Sequence, residues 1–83
     1  MNEKLLFECF IDILGHNVGV KIYKDEDIYS FTLSDYFQDE SQMDVYRPGS
    51  GSLDGSLDGL LFKINAYKNQ IRKIVKIEHN DSF

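Results

Sequence analysis

Cysteine occurs once in the chain, at Cys9, so no intrachain disulfide can form. That excludes the stapled scaffolds of small secreted domains. Proline also occurs once, at Pro48. Long apolar runs are missing: Glu8, Asp12 and Lys63 interrupt the longest ones, and none approaches the ~20 residues a membrane-spanning helix requires. The opening Met1-Asn2-Glu3-Lys4-Leu5 has neither a basic n-region nor a small-residue cleavage site, so no secretory signal is expected there. A cytoplasmic protein with no membrane partner is the resulting expectation.

What is present fits one globular unit. The chain has 83 residues, 42% of them hydrophobic, too apolar for a disordered tail. Residues 1–83 read as a single domain. They are too few for a paired Rossmann unit or a (β/α) barrel, which excludes a large cofactor enzyme. A domain this size buries only roughly 60–65% of the surface its unfolded chain exposes. A partner or a second copy therefore has room to add stability.

Periodicity gives an expected order of elements. Residues 2–15 fit a helix, with Asn2 as N-cap, Gly15 just past the end, and Lys4, Glu8 and Asp12 along one polar edge. The same stretch also alternates as a strand, with Leu5, Phe7, Cys9, Ile11 and Ile13 on one face; the two end signals favour the helix. Residues 18–24 and 28–33 are β-branched and aromatic, and they flank the acidic run Asp25-Glu26-Asp27, which predicts a hairpin. Ser34 is placed to cap a short helix over residues 35–40. Residues 47–59 hold the proline, four of the six glycines and the tandem Ser-Leu-Asp-Gly at 52–55 and 56–59, and they predict a long Gly/Ser-rich loop that is functional or mobile. Residues 60–67 and 71–77 read as a second hairpin turning at Lys68-Asn69-Gln70. A helical repeat at 60, 64, 67, 71, 74 and 75 competes with that reading. The expected class is α+β: an N-terminal helix on a small antiparallel sheet or half-open barrel of four to five strands, with an all-β fold as the alternative.

The pattern at Val18-Gly19-Val20-Lys21-Ile22, residues 28–33, Gly59-Leu60-Leu61-Phe62-Lys63-Ile64 and residues 71–77 resembles the strands of Sm-like RNA-binding barrels. The resemblance covers about half the chain and implies a small β-barrel oligomer that binds RNA. Ile64-Asn65 stands where that family carries Arg-Gly, and Gln42-Met43-Asp44 is a displaced echo of its Asp-x-x-Met-Asn element. No RNA-binding residue carries over, and the resemblance bears on topology alone.

Catalytic and metal motifs are missing as well. The glycines of residues 49–59 are accompanied by Asp54 and Asp58 where a phosphate loop needs a lysine. Those two carboxylates fall short of a calcium site, and Cys9, His16 and His79 lack the paired spacing of zinc ligands. The serines at 50, 52 and 56 do not sit in a nucleophile elbow. The expectation is a non-enzymatic protein with no cofactor and no metal.

Charge is distributed unevenly. The whole chain carries −5. Residues 1–24 are neutral, residues 25–58 carry −8, and residues 59–83 carry +3. Tyr29, Phe31, Tyr36, Phe37 and Tyr46 are interleaved with the acidic stretch. Carboxylates beside aromatic rings suit docking onto a basic groove. The expected function is inhibition of a basic, nucleic-acid-acting protein by charge mimicry, as in toxin immunity proteins, antitoxins or phage anti-defence inhibitors. Asp25, Glu26, Asp27, Asp35, Tyr36, Asp39, Glu40 and Asp44 form the expected contact set, with a homodimer as a further option. Lys68, Arg72, Lys73 and Lys76 suggest a nucleic-acid patch, but the negative net charge disfavours nucleic acid as the partner.

Overall fold

The computed structural model describes residues 3–40 and 54–83. Five strands and one helix follow in the order β1 (Lys4–Ile13), β2 (His16–Asp25), β3 (Ile28–Leu33), β4 (Asp35–Asp39), α1 (Leu57–Gln70) and β5 (Ile74–His79). β1, β2 and β3 form an antiparallel sheet in that order; β4 and β5 pair antiparallel in a second sheet. The described residues are mostly antiparallel sheet with one helix, consistent with the α+β class; the expected single sheet or half-open barrel of four to five strands is instead two sheets, of three and two strands. Among the described residues no helix is long and apolar enough to cross a membrane.

The helix lies in the C-terminal half, not at the N-terminus. Residues 4–13 form the edge strand β1 because Ile13 pairs with His16 across a two-residue turn. Leu14 and Gly15 there have φ of 49° and 89°, and positive φ at both central positions matches the twist of a hairpin. Gly15 thus supplies turn geometry, not a helix C-terminus. Cys9 and Ile11 pack on the core and Ile13 is fully buried, following the strand alternation. A bulge between Leu5 and Phe7 breaks that alternation near the start.

The β2–β3 hairpin forms as expected, with Asp25 opposite Ile28 and Glu26 at φ 56° in the turn. The expected helix over 35–40 is β4 instead. Ser34, expected as its cap, sits at the corner between β3 and β4. Its hydroxyl accepts the Gly19 N–H at 2.9 Å and donates to Asp35 Oδ2 at 2.8 Å, which fixes the second sheet against β2.

The expected second hairpin is also corrected: residues 57–70 are helical. Ser56 caps α1 with its hydroxyl accepting the Gly59 N–H at 3.1 Å. Asp58 sits in the first turn and Lys68 in the last, each favourable to the helix dipole. Leu60 and Ile64 are buried on α1, with Tyr67 and Ile71 packed on the same core, so the 3.6-residue repeat prevails over alternation. Lys68-Asn69-Gln70 completes the helix, and the β-branched run supplies β5 alone. The second Ser-Leu-Asp-Gly therefore opens a helix; residues 47–53 of the expected loop lie outside the described residues.

The core joins both sheets and the helix. Ile13, Val18, Val20, Ile22, Phe31 and Leu33 come from the three-stranded sheet, Phe37 from β4, Leu60 and Ile64 from α1, and Ile71 from the segment before β5.

Candidate functional site

The acidic residues divide between two places. Asp25, Glu26 and Asp27 form the tip of the β2–β3 hairpin, with Glu26 and Asp27 exposed and Asp25 half-buried. None of the three has an ion pair among the described residues. Asp35, Tyr36, Asp39 and Glu40 lie on or just past β4, beyond the other end of β3. The span from Ile28 to Leu33 is about 17 Å at strand rise, so the two groups do not converge. Asp44 lies outside the described residues.

The β4 group is engaged within the fold. Asp39 is 4% exposed, and its Oδ1 accepts the Arg72 and Lys73 backbone N–H groups at 2.9 Å each. Those donors belong to the link between α1 and β5, so Asp39 fastens that link to β4. It is corrected from a contact residue to an internal one. Glu40 lies 3.7 Å from Lys73 Nζ in an exposed pair. The Asp35 carboxylate meets Ser34 Oγ on one oxygen and His79 Nδ1, at 3.3 Å, on the other. Tyr36 is half-buried opposite Glu78. An open cleft of about 480 Å³ is lined by Asp39, Glu40, Gln70, Arg72 and Lys73. An anion of the protein itself already holds the backbone donors beside it.

The rings expected to accompany the carboxylates are largely interior. Phe31 and Phe37 belong to the core, and Tyr29 and Tyr36 are half-buried; Tyr46 lies outside the described residues. The expected contact set therefore divides between an acidic tip at one end of β3 and the β4 group at the other.

Around the tip, more carboxylates gather. Tyr29 and Asp54 exchange backbone hydrogen bonds of 2.8 and 3.0 Å, one residue beyond the Asp25–Ile28 pair that closes the turn. This brings the start of α1, with Asp58, to the same end of the molecule. Glu3 reaches Ser30 Oγ at 3.4 Å. Asp54 accepts the Ser56 N–H at 3.0 Å and pairs with Lys63 at 3.1 Å. Those contacts hold its carboxyl below the usual 3.8, the Ser56 backbone hydrogen bond first and the Lys63 hydrogen bond next. Lys24 lies over the Tyr29 ring at 5.3 Å. Ile28, 48% exposed, is the apolar residue of the tip.

Among the described residues the groups suited to catalysis are dispersed. Cys9 pairs across the sheet with Val20, four positions from His16, a separation of about 13 Å along the strand. Ser34 Oγ–H is donated to a carboxylate, and the imidazole of His79 meets the far oxygen of that carboxylate. A nucleophilic hydroxyl requires a base at its own proton. Among the described residues no group of three His, Cys, Asp or Glu side chains is arranged to hold a metal ion.

Two features escaped the sequence reading. The helix expected over residues 2–15 gave no sign that Phe10 is 63% exposed on β1, alongside exposed Leu5, Leu6, Phe7 and Leu14. The competing strand reading, with Phe10 between Glu8 and Asp12, held that signal. Lys63 and Lys73 are separated: Lys63 pairs with Asp54 on the helix side, and Lys73 pairs with Glu40. The Sm-like pattern loses its fourth strand, because Leu60 to Ile64 is helical.

Comparison with protein-family models, with curated proteins and with solved structures finds no match.

Proposed function

We propose that this chain is a non-enzymatic binding protein that inhibits a basic, nucleic-acid-acting partner protein, docking through its acidic hairpin tip. The observation that supports this reading is the tip itself. Asp25, Glu26 and Asp27 are three consecutive carboxylates without ion pairs among the described residues, at the end of a two-stranded hairpin. Glu3 and Asp58 reinforce the same end. Carboxylates so placed occupy positions that phosphates fill on a basic groove, and they accelerate encounter with it. Ile28 supplies apolar contact beside them. The proposal centres on Asp25, Glu26 and Asp27: Asp39 is buried on backbone donors, Asp35 shares its oxygens with Ser34 and His79, and Glu40, though exposed, faces Lys73 beyond the other end of β3.

Affinity capture from a lysate of the native host or its competitors tests this reading. The expected result is a basic nuclease or nucleic-acid-binding effector that is released as salt rises. Asp25→Lys with Asp27→Lys abolishes its capture, while Glu40→Lys leaves it. Capture of such a protein that survives the tip reversals overturns the proposal.

A further inference from the structure

Among the described residues, the ten of β1 form an edge of the three-stranded sheet, and natural edges of that length are normally blunted or covered. Its lysine is at the very start, Lys4, and the bulge is confined to residues 5–7. The segment from Glu8 to Asp12 is regular. Because Ile13 and His16 close a two-residue turn, they are a hydrogen-bonded pair, as are Ile11–Val18 and Cys9–Val20 by alternation. Glu8, Phe10 and Asp12 therefore direct their N–H and C=O groups away from β2. Residue 54, where the described chain resumes, pairs with Tyr29 on the opposite edge of the sheet.

We propose that this edge pairs antiparallel with the same edge of a second copy, about a two-fold axis at Cys9. Hydrogen bonding through the outward groups requires even-numbered residues to face even-numbered residues. An axis at Glu8 sets that carboxylate against itself, and an axis at Phe10 sets Glu8 against Asp12. The axis at Cys9 sets Glu8 opposite Phe10 of the second copy, and Phe7 opposite Ile11. No like charges then lie directly opposite each other, and the two Glu8 carboxylates are diagonal across the seam. The two Phe10 rings, 63% exposed in the single chain, become diagonal neighbours. Lys4 of the two copies lies ten positions apart along the paired strands, about 33 Å. The acidic tips, at the Lys4 end of each sheet, stay beyond the ~8 Å screening length. Pairing therefore does not depend on what the tips bind.

Analytical ultracentrifugation from about 10 µM to 1 mM tests the pairing. The expected result is a reversible dimer with no larger species. Phe10→Asp places a carboxylate opposite Glu8 twice and weakens association by about tenfold or more, with an unchanged far-UV circular dichroism spectrum. Phe10→Lys retains the dimer, and adding Glu8→Lys to Phe10→Asp restores it. A wild-type chain that stays monomeric throughout overturns the proposal and leaves the edge to a foreign strand. Equal association of Phe10→Asp and Phe10→Lys, or growth beyond a dimer, overturns it as well.

Discussion

Asp54 lies beside Tyr29 in a two-way backbone hydrogen-bonded pair, at 2.8 and 3.0 Å, which joins the start of α1 to the β2–β3 hairpin. The same Asp54 carboxylate receives the Ser56 N–H and the Lys63 ammonium. One residue thus joins the hairpin through its backbone and the start of the helix through its carboxylate, and only the second set of contacts depends on its protonation state.

The pH dependence follows from the sign of the shift. Asp54 titrates lower in the folded chain than its ordinary 3.8. Its contribution to stability is therefore present above the unfolded value and lost as pH falls through the folded value. Urea midpoints of wild type and Asp54→Asn should differ by a constant amount between about pH 5 and 8, and begin to converge as pH falls below about 4. A gap that persists unchanged into acid contradicts this assignment.

Gly59 gives a reversal of the usual helix rule. An alanine inside a helix normally gains about 1 kcal/mol over glycine. Here a Cβ on Gly59 would overlap the Asp54 carboxylate. Gly59→Ala should lower the thermal midpoint, and Asp54→Gly in the same chain should convert the change to a gain.

Helix and strand readings of residues 57–70 assign different weights to two side chains. Leu60 is fully buried, and Phe62 is 74% exposed, whereas a strand would bury both on one face. Leu60→Ala should cost about 2–5 kcal/mol, and Phe62→Ala within about 0.5 kcal/mol of nothing. Chemical denaturation of the two variants separates these outcomes.

Asp39 has a structural task. Removing its carboxylate leaves the Arg72 and Lys73 N–H groups without the acceptor that joins them to β4. Asp39→Ala should destabilise the fold by about 2–3 kcal/mol. Hydrogen exchange at Arg72 and Lys73 should accelerate in the same variant. Near-native stability with lost partner binding would restore Asp39 to a contact role.

Local signals made part of this architecture legible. The β2–β3 hairpin was readable because both strands and their acidic turn carry concordant patterns. Residues 4–13 were not, because Gly15 serves equally as a helix end and as a turn residue, and only cross-strand pairing with β2 decides between them. Residues 60–71 satisfied both periods; the Ser56 cap settled the matter, hidden in a tandem that composition marks as loop. The candidate site was legible as charge but not as geometry. The Asp25-Glu26-Asp27 tip follows from its turn, whereas the burial of Asp39 depends on a partner segment more than thirty residues away.

The most direct test of the acidic-tip account is an NMR titration of the isotope-labelled chain with the basic protein it captures. The account predicts intensity losses centred on Asp25, Glu26, Asp27 and Ile28, diminishing as salt is raised. Losses centred on Lys68, Arg72, Lys73 and Lys76, with the tip undisturbed, would contradict it.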